Sequence, residues 1–335
     1  MRSVVKFLAV GLGALLLAAQ GGPPARAQAD YPSRLITLIV PFAAGGPTDV
    51  VARIIGQNMS STLGQDIVIE NVVGAGGTTG AIRAMRARPD GYTIVMGHMG
   101  THAAAVALYP NLPYDPSTDF EPIGSAVGMP VILLVRKDAP VGDLAEFISY
   151  ARQNADKLNM AHAGVGSVSH ITCQLFNSII GIKPNLVAFQ GTGPAMNAVI
   201  AGKVDYMCDQ VVNVVPQVQA GSIHALVVGT PHRIQALPDV PTSQEAGMPE
   251  FQASAWNALF APKGTPRSIV TALNGALGRA LDDATVRQRV LALGGDIPDP
   301  KERSPEALSK VVKIEIAKWT AIMKGTAMKG ASAAN

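Results

Sequence analysis

Six turns in this chain collect glycines and hydroxyls, and none of them contains a lysine or arginine. They read PFAAGGPTD (41–49), GAGGTTG (74–80), HMGTHA (98–103), GVGSVSH (164–170), QGTGPA (190–195) and DQVVN (209–213). Glycine lets backbone N–H groups come close to a guest, and the N–H groups at a helix start favour negative charge. Amides at Gly45, Gly46, Gly76 and Gly77, with hydroxyls at Thr48, Thr78, Thr79, Thr101, Ser167, Ser169 and Thr192, therefore suit an anion. A polyphosphate site would add the compact charge of a P-loop lysine. Without that charge, the set suits a small carboxylate.

Other chemistries fit less well. GAGGTTG departs from the dinucleotide fingerprint because position 79 is threonine and the next acid, Asp90, follows Gly76 too soon. His98 and His102 stand four apart but have no glutamate between them, and His98 precedes the helix they would need to share. Ser167 or Ser169 beside His170 is a candidate hydrolytic pair, yet it lacks the G-x-S-x-G elbow. No catalytic residue, metal or cofactor is therefore expected. Phe42, just past a strand, and Trp256 can wall the apolar body of a ligand, with core packing the alternative for Trp256. Asn257 beside it can donate or accept. Asp49 reads as a first-turn acid or a partner of Arg53, and Asp209 as a cap of its turn or a partner for a ligand ammonium.

The elements that must position these turns form one repeated pattern. LITLIV (35–40), IVIENVV (67–73), TIVMG (93–97), LNMAHA (158–163), LVAF (186–189) and VDYMC (204–208) each lead into one of the turns and then a helical segment. Val50, Val51, Ile54, Ile55 and Leu63 recur at helical spacing, and Gly64 can end that helix. Strands alternating with helices predict parallel sheets with helices on both faces. Ligands of such sheets bind beyond the carboxyl ends of the strands, where all six turns lie. The fold class expected is α/β, with two Rossmann-like lobes joined by two crossing strands. Residues 125–147 begin a new unit, and 238–251 lead back into a strand at 253–262. Helices at about 266–283, 285–293 and 305–324 then return to the first lobe. The expected division is 1–29 export signal, 30–128 with 254–335 lobe one, and 129–253 lobe two.

Residues 1–29 have a basic start at Arg2 and Lys6, an apolar run FLAVGLGALLLAA and a small-residue AQA, which together predict a cleaved export signal. The run is too short to span a membrane, which needs about 20 residues. The signal holds three basic residues and no acid, so the remaining 24 basic residues balance 24 acidic ones. That neutrality excludes a nucleic-acid partner driven by charge. Cys173 and Cys208 read as two small buried hydrophobes, with a disulfide as the alternative that an oxidising compartment permits.

PSRLITLIVPFAAGGPTDVVAR, ENVVGAGGTTG, PDGYTIVMG, LYPNLPYDPSTDFEPI, AGVGSVSH, QGTGPAMNAVIAGKVDYMCD and ALPDVPTSQEAG occur in that order over nearly the whole mature chain. In this the sequence resembles the Bug-type extracytoplasmic solute receptors of the tripartite tricarboxylate transporters. The resemblance implies a periplasmic binding protein of type II-like architecture that closes on a small organic carboxylate and passes it to membrane transporter subunits; its quaternary state is left open, with a monomer the default. It implies ligand contacts from Phe42, Ala43, Gly46, Thr48 and Asp49, and from Gly76, Gly77 and Thr78. The far end of the ligand would meet Thr101, His102, Ser167, Ser169, Gln190, Thr192, Asp209, Gln210 and Trp256. Where the family often reads Tyr-Lys-Gly this chain has Phe189, Gln190 and Gly191, and MCDQVVN replaces a commoner Phe-Asp-Asn run. Both departures fall where the ligand would be chosen, so the ligand itself is not implied: C4 to C6 dicarboxylates, amino acids and nicotinate-like or aromatic carboxylates all remain, with Phe42 and Trp256 favouring an apolar or aromatic body. The alternatives are a receptor presenting its ligand to a membrane sensor, and an exported hydrolase using Ser167 or Ser169 with His170.

Overall fold

Short strands rich in Ile, Val and Leu bury both faces only when helices cover the sheet they build. The computed structural model describes residues 31–332, so the predicted export signal, residues 1–29, lies outside them. In chain order the elements are β1 (Ile36–Val40), α1 (Pro47–Leu63), β2 (Ile67–Asn71), α2 (Thr78–Met85), β3 (Thr93–His98), α3 (Ala105–Leu108) and β4 (Phe120–Arg136). Then come α4 (Leu144–Gln153), β5 (Asn159–His162), α5 (Val168–Ile180), β6 (Asn185–Ala188), α6 (Thr192–Ile200), β7 (Tyr206–Gln210), α7 (Val211–Gln219) and β8 (Ile223–Val228). β9 (Ser254–Pro262), α8 (Arg267–Asp282), α9 (Ala284–Ala292) and α10 (Pro305–Ser332) complete the chain.

β2, β1 and β3 are parallel, as are β6, β5 and β7. Between these groups runs the long β4. Its first part, Phe120–Pro130, pairs antiparallel with β9, and its second, Val131–Arg136, pairs antiparallel with β7 and β8. β9 in turn is antiparallel to β3. The second crossing is short: Gly229 N donates to the Val131 carbonyl at 2.9 Å and Ala253 N to the Gly229 carbonyl at 2.8 Å, just before β9 begins. The fold is thus α/β, with two lobes joined by two crossings in one curled sheet.

Three expectations need correction. The sheet is mixed rather than parallel, because the crossing strands return through it. β8 carries no Gly-rich turn and was not distinguished in the sequence. β4 opens at Phe120, ahead of the unit expected to begin at 125; Pro122 is tolerated because it sits at a register shift, where the ladder is already broken.

The core follows the predicted spacing. Val51, Ile54, Ile55 and Met59 of α1 are buried with Ile36 and Leu38 of β1. Each such side chain contributes about 1.5–3 kcal/mol. α8 buries Leu273, Leu277 and Leu281 against α1 and β4, and α10 packs Leu308, Val312 and Trp319 on β4 and the turn after β3. Cys173 on α5 and Cys208 on β7 form a disulfide, where the sequence favoured two thiols. Packing of α5 on β7 brings their Cα atoms to 5.3 Å, within the range a disulfide requires.

Candidate functional site

The turn from β1 to α1 ends in Gly46, an N-cap with no side chain, followed by Pro47 in the first helical turn. Proline there gives up an N–H that would lack a helical partner anyway. The remaining first-turn amides are left without a side-chain cap. Asp49 does not occupy them. Its carboxylate accepts from Gly45 N at 3.0 Å, from Arg53 Nε at 2.9 Å and from Asn71 Nδ2 at 2.9 Å. Burial pushes this carboxyl up, but those hydrogen bonds and the Arg53 charge outweigh it and hold it below the usual range. Asn71 also donates to the Phe42 carbonyl at 2.9 Å, so the network braces the turn from behind.

Three turns of the second lobe face this one. α5 is capped by Ser167, which accepts from His170 N, while α6 and α7 start at Gly191 and Gln210 with no side-chain cap. The four helix N-termini border a narrow pocket lined by Phe42, Gly46, Pro47, Thr48, His98, Ala163, Ser167, Val168, Ser169, Thr192 and Gln210. No lysine or arginine is in that lining. The lobes meet around it: Ala43 N donates to the Gln190 carbonyl at 3.1 Å, and Tyr109 Oη donates toward the Val165 carbonyl at 2.7 Å.

Most hydroxyls expected to hold an anion are engaged elsewhere. Ser167 donates to the Gly164 carbonyl at 2.7 Å. That leaves Ser169, 3.1 Å away, to donate to Ser167 while accepting from Ala163 N. Thr78 donates to the Ala75 carbonyl at 2.9 Å, and Thr101 is tied to His98 and His102. These side chains hold the turns in shape, and the amides are what the turns present. Both serine hydroxyls are engaged within the turn, and His170 Nδ1 accepts from Gly166 N at 3.4 Å.

Two ionisable residues shape the pocket. His98 Nδ1 accepts from Gly100 N at 2.9 Å and Thr101 N at 3.3 Å, and its ring stacks on Phe42 with centroids 5.0 Å apart. Burial lowers its pKa to about 4, so the ring is neutral. Asp209, buried behind Gln210, has its pKa raised to about 7 by desolvation, against hydrogen bonds from Asn213, Gln210 N and Thr192.

Of the residues singled out in the sequence, Phe42, Gly46, Thr48, Ser167, Ser169, Thr192 and Gln210 come together at the pocket. Ala43 and Gln190 join the lobes beside it. Gly76 and Gly77 adopt positive φ of 62° and 95°, and their close approaches are to protein. A Cβ on Gly76 would collide with the Val165 carbonyl, and one on Gly77 would come within 2.7 Å of Phe42 and Thr101. Asp49 points into its brace, and Asp209 lies behind the lining. His102 stacks on Phe260 at 4.0 Å within an aromatic cluster with Tyr114 and Phe120. Trp256 leaves β9 on the face opposite Asn257, and its Nε1 donates to Glu315 of α10 at 3.3 Å. Pro47, His98, Ala163 and Val168 also line the pocket and are not among the residues singled out for it. For His98 the signal is its place at a strand end two residues before Gly100, which the pairing with His102 obscures.

Residues 51–328 match the tripartite tricarboxylate transporter family receptor. MatC from Rhodopseudomonas palustris, solved with bound malate, is 51% identical, covers 88% of this chain and 100% of its own, and superposes with a TM-score of 0.86. The periplasmic binding protein BugD is 39% identical over 89% of this chain and 99% of its own, with a TM-score of 0.86. R. palustris Rpa4515, solved with adipate, is 34% identical over 89% of this chain and 99% of its own, with a TM-score of 0.85.

Proposed function

The chain belongs to the tripartite tricarboxylate transporter receptor family, and from that premise we propose that it captures a C4 to C6 dicarboxylate between its lobes. The observation that carries this reading is the convergence of four helix N-termini, three without a side-chain cap, on a pocket lined by no cation. A helix N-terminus contributes about 0.3–2 kcal/mol toward an anion. A hydrogen bond to a charged group contributes about 1.5–3 kcal/mol. A few of each suffice for micromolar binding, which needs about −8 kcal/mol after association costs. Malate in MatC and adipate in Rpa4515 support the size class.

In this mechanism the turn before α1 takes one carboxylate while the lobes are apart. The starts of α5, α6 and α7 then add contacts that only the closed form provides. The ligand shifts an existing equilibrium by its differential affinity for the two forms. The moving bodies are residues 30–128 with 254–335, and residues 129–253. The protein acts in the periplasm, as a monomer without catalysis, and hands its cargo to membrane transporter subunits. Titration calorimetry and thermal shift with L-malate, succinate and adipate test the reading. Ligand at about 100 times its dissociation constant adds about 2.7 kcal/mol of stability. If no C4 to C6 dicarboxylate shifts unfolding, or a bound carboxylate is gripped by lysine or arginine outside the pocket, the reading fails.

A further inference from the structure

His98 on β3 and Asn257 on β9 are direct partners in an antiparallel pair. Opposed residues send their side chains to one face of the sheet, with Cβ atoms about 4.5–5.5 Å apart. His98 Nδ1 is occupied as an acceptor by two backbone amides, so the neutral ring carries its proton on Nε2, the remaining atom of a residue that lines the pocket. Asn257 is fully buried and spends its Nδ2 on Gln210 Oε1 at 3.1 Å. Its Oδ1 has no hydrogen-bond partner; Asn257 is not itself in the pocket lining, but it pairs across the sheet with His98 and is bonded to Gln210, both of which are. Buried polar atoms without a partner are rare, and each calls for an explanation.

His98 offers a donor and its cross-strand partner Asn257 an unpaired acceptor, and one group that accepts from the first and donates to the second satisfies both. A carboxylate only accepts, an ammonium only donates and a methylene does neither. A hydroxyl does both. We propose that His98 Nε2–H and Asn257 Oδ1 form a reader for a hydroxyl on the bound acid, which makes the preferred ligand a 2-hydroxy dicarboxylate. One carboxylate of that ligand takes the helix N-terminal amides and the hydroxyl takes the pair. This rests on the pocket being the dicarboxylate site. A site built around a substrate hydroxyl rejects the analogue without it strongly, because its own polar groups are then left unpaired.

L-Malate and succinate differ by that hydroxyl alone, so calorimetry with both tests the assignment. The wild type should bind L-malate at least about tenfold tighter than succinate. His98→Phe keeps a ring against Phe42 but loses the N–H, and should bring the malate-to-succinate ratio close to one. Imidazole ¹⁵N spectra of the wild type provide a readout that needs no variant. They should show His98 neutral and protonated on Nε2 between pH 6 and 8, with that proton shifting on addition of L-malate and not of succinate. Equal affinities in the wild type, an unchanged ratio in His98→Phe, or a proton on Nδ1 would each overturn the assignment while leaving the dicarboxylate reading standing. If neither acid binds, the dicarboxylate reading falls and this inference falls with it.

Discussion

The turn before α1 and the turn before α5 each bring a helix N-terminus to the pocket wall, but they are held in opposite ways. Before α1 the capping position is a glycine, so the amides face the pocket uncapped, and the brace stands behind them as an ionic cluster of Asp49, Arg53 and Asn71. Before α5 the cap is Ser167, its hydroxyl and that of Ser169 are spent within the turn, and the helix is tied to β7 by a disulfide. An amide offered to a ligand must take its rigidity from elsewhere. This difference supports the proposed division of roles, in which the α1 turn is the primary holder of the carboxylate and α5 a firm wall that completes the enclosure.

Breaking each brace separates the two roles. Removing the disulfide with Cys173→Ala and Cys208→Ala frees a loop of 35 residues and should cost about 2–4 kcal/mol in urea unfolding, with little change in ligand affinity. A large loss of affinity at retained fold would make the α5 wall a primary binder and erase the distinction. Asp49→Ala unties Gly45, Arg53 and Asn71 together and should cost about 2 kcal/mol. Affinity should fall about tenfold as the amides lose their aim, equal to about 1.4 kcal/mol of binding. The matched change Ser167→Ala should cost about 1 kcal/mol of stability. Calorimetry on both variants decides, because equal affinity losses would show that the two turns share the carboxylate.

A pH dependence sharpens the contrast between the two aspartates. Asp49 lies below its ordinary pKa, so its stabilisation is present at neutral pH and is lost only as pH falls through the acid range. Asp209 is raised from 3.8 to about 7, so the folded chain holds that proton more tightly than the unfolded one. Its contribution is fully present below about pH 4, declines as pH rises toward 7 and is gone above it. The unfolding temperature of Asp209→Asn relative to wild type should rise from pH 4 to 7 and then level off. A difference that does not vary with pH would show a carboxyl ionised as usual.

Much of the fold could be read directly, because periodicity and punctuation are local. The strand, turn and helix pattern, the ends of α1 at Gly46 and Gly64, and the return of the last helices all follow from residues within a few positions of each other. The crossing strands were harder. β4 opens with prolines and acids whose fit depends on a bulge against β9, far away in sequence, and β8 pairs at an edge that no local signal marks.

At the site, the chemistry was legible in local residues: glycine turns, helix starts and no cation, which together point to the proposed small anion held by main-chain amides. Only the tertiary structure decided which side chains take part. Each hydroxyl has one proton, and whether Ser167 gives it to a guest or to Gly164 depends on how its turn closes. Trp256 and Asn257 are neighbours in the chain, yet strand alternation sends them to opposite faces, so one packs on α10 and the other stands beside the pocket. His98 is likewise set apart from His102 by where β3 ends and by which amides reach its ring. These are consequences of contacts between distant segments, and spacing along the chain does not encode them.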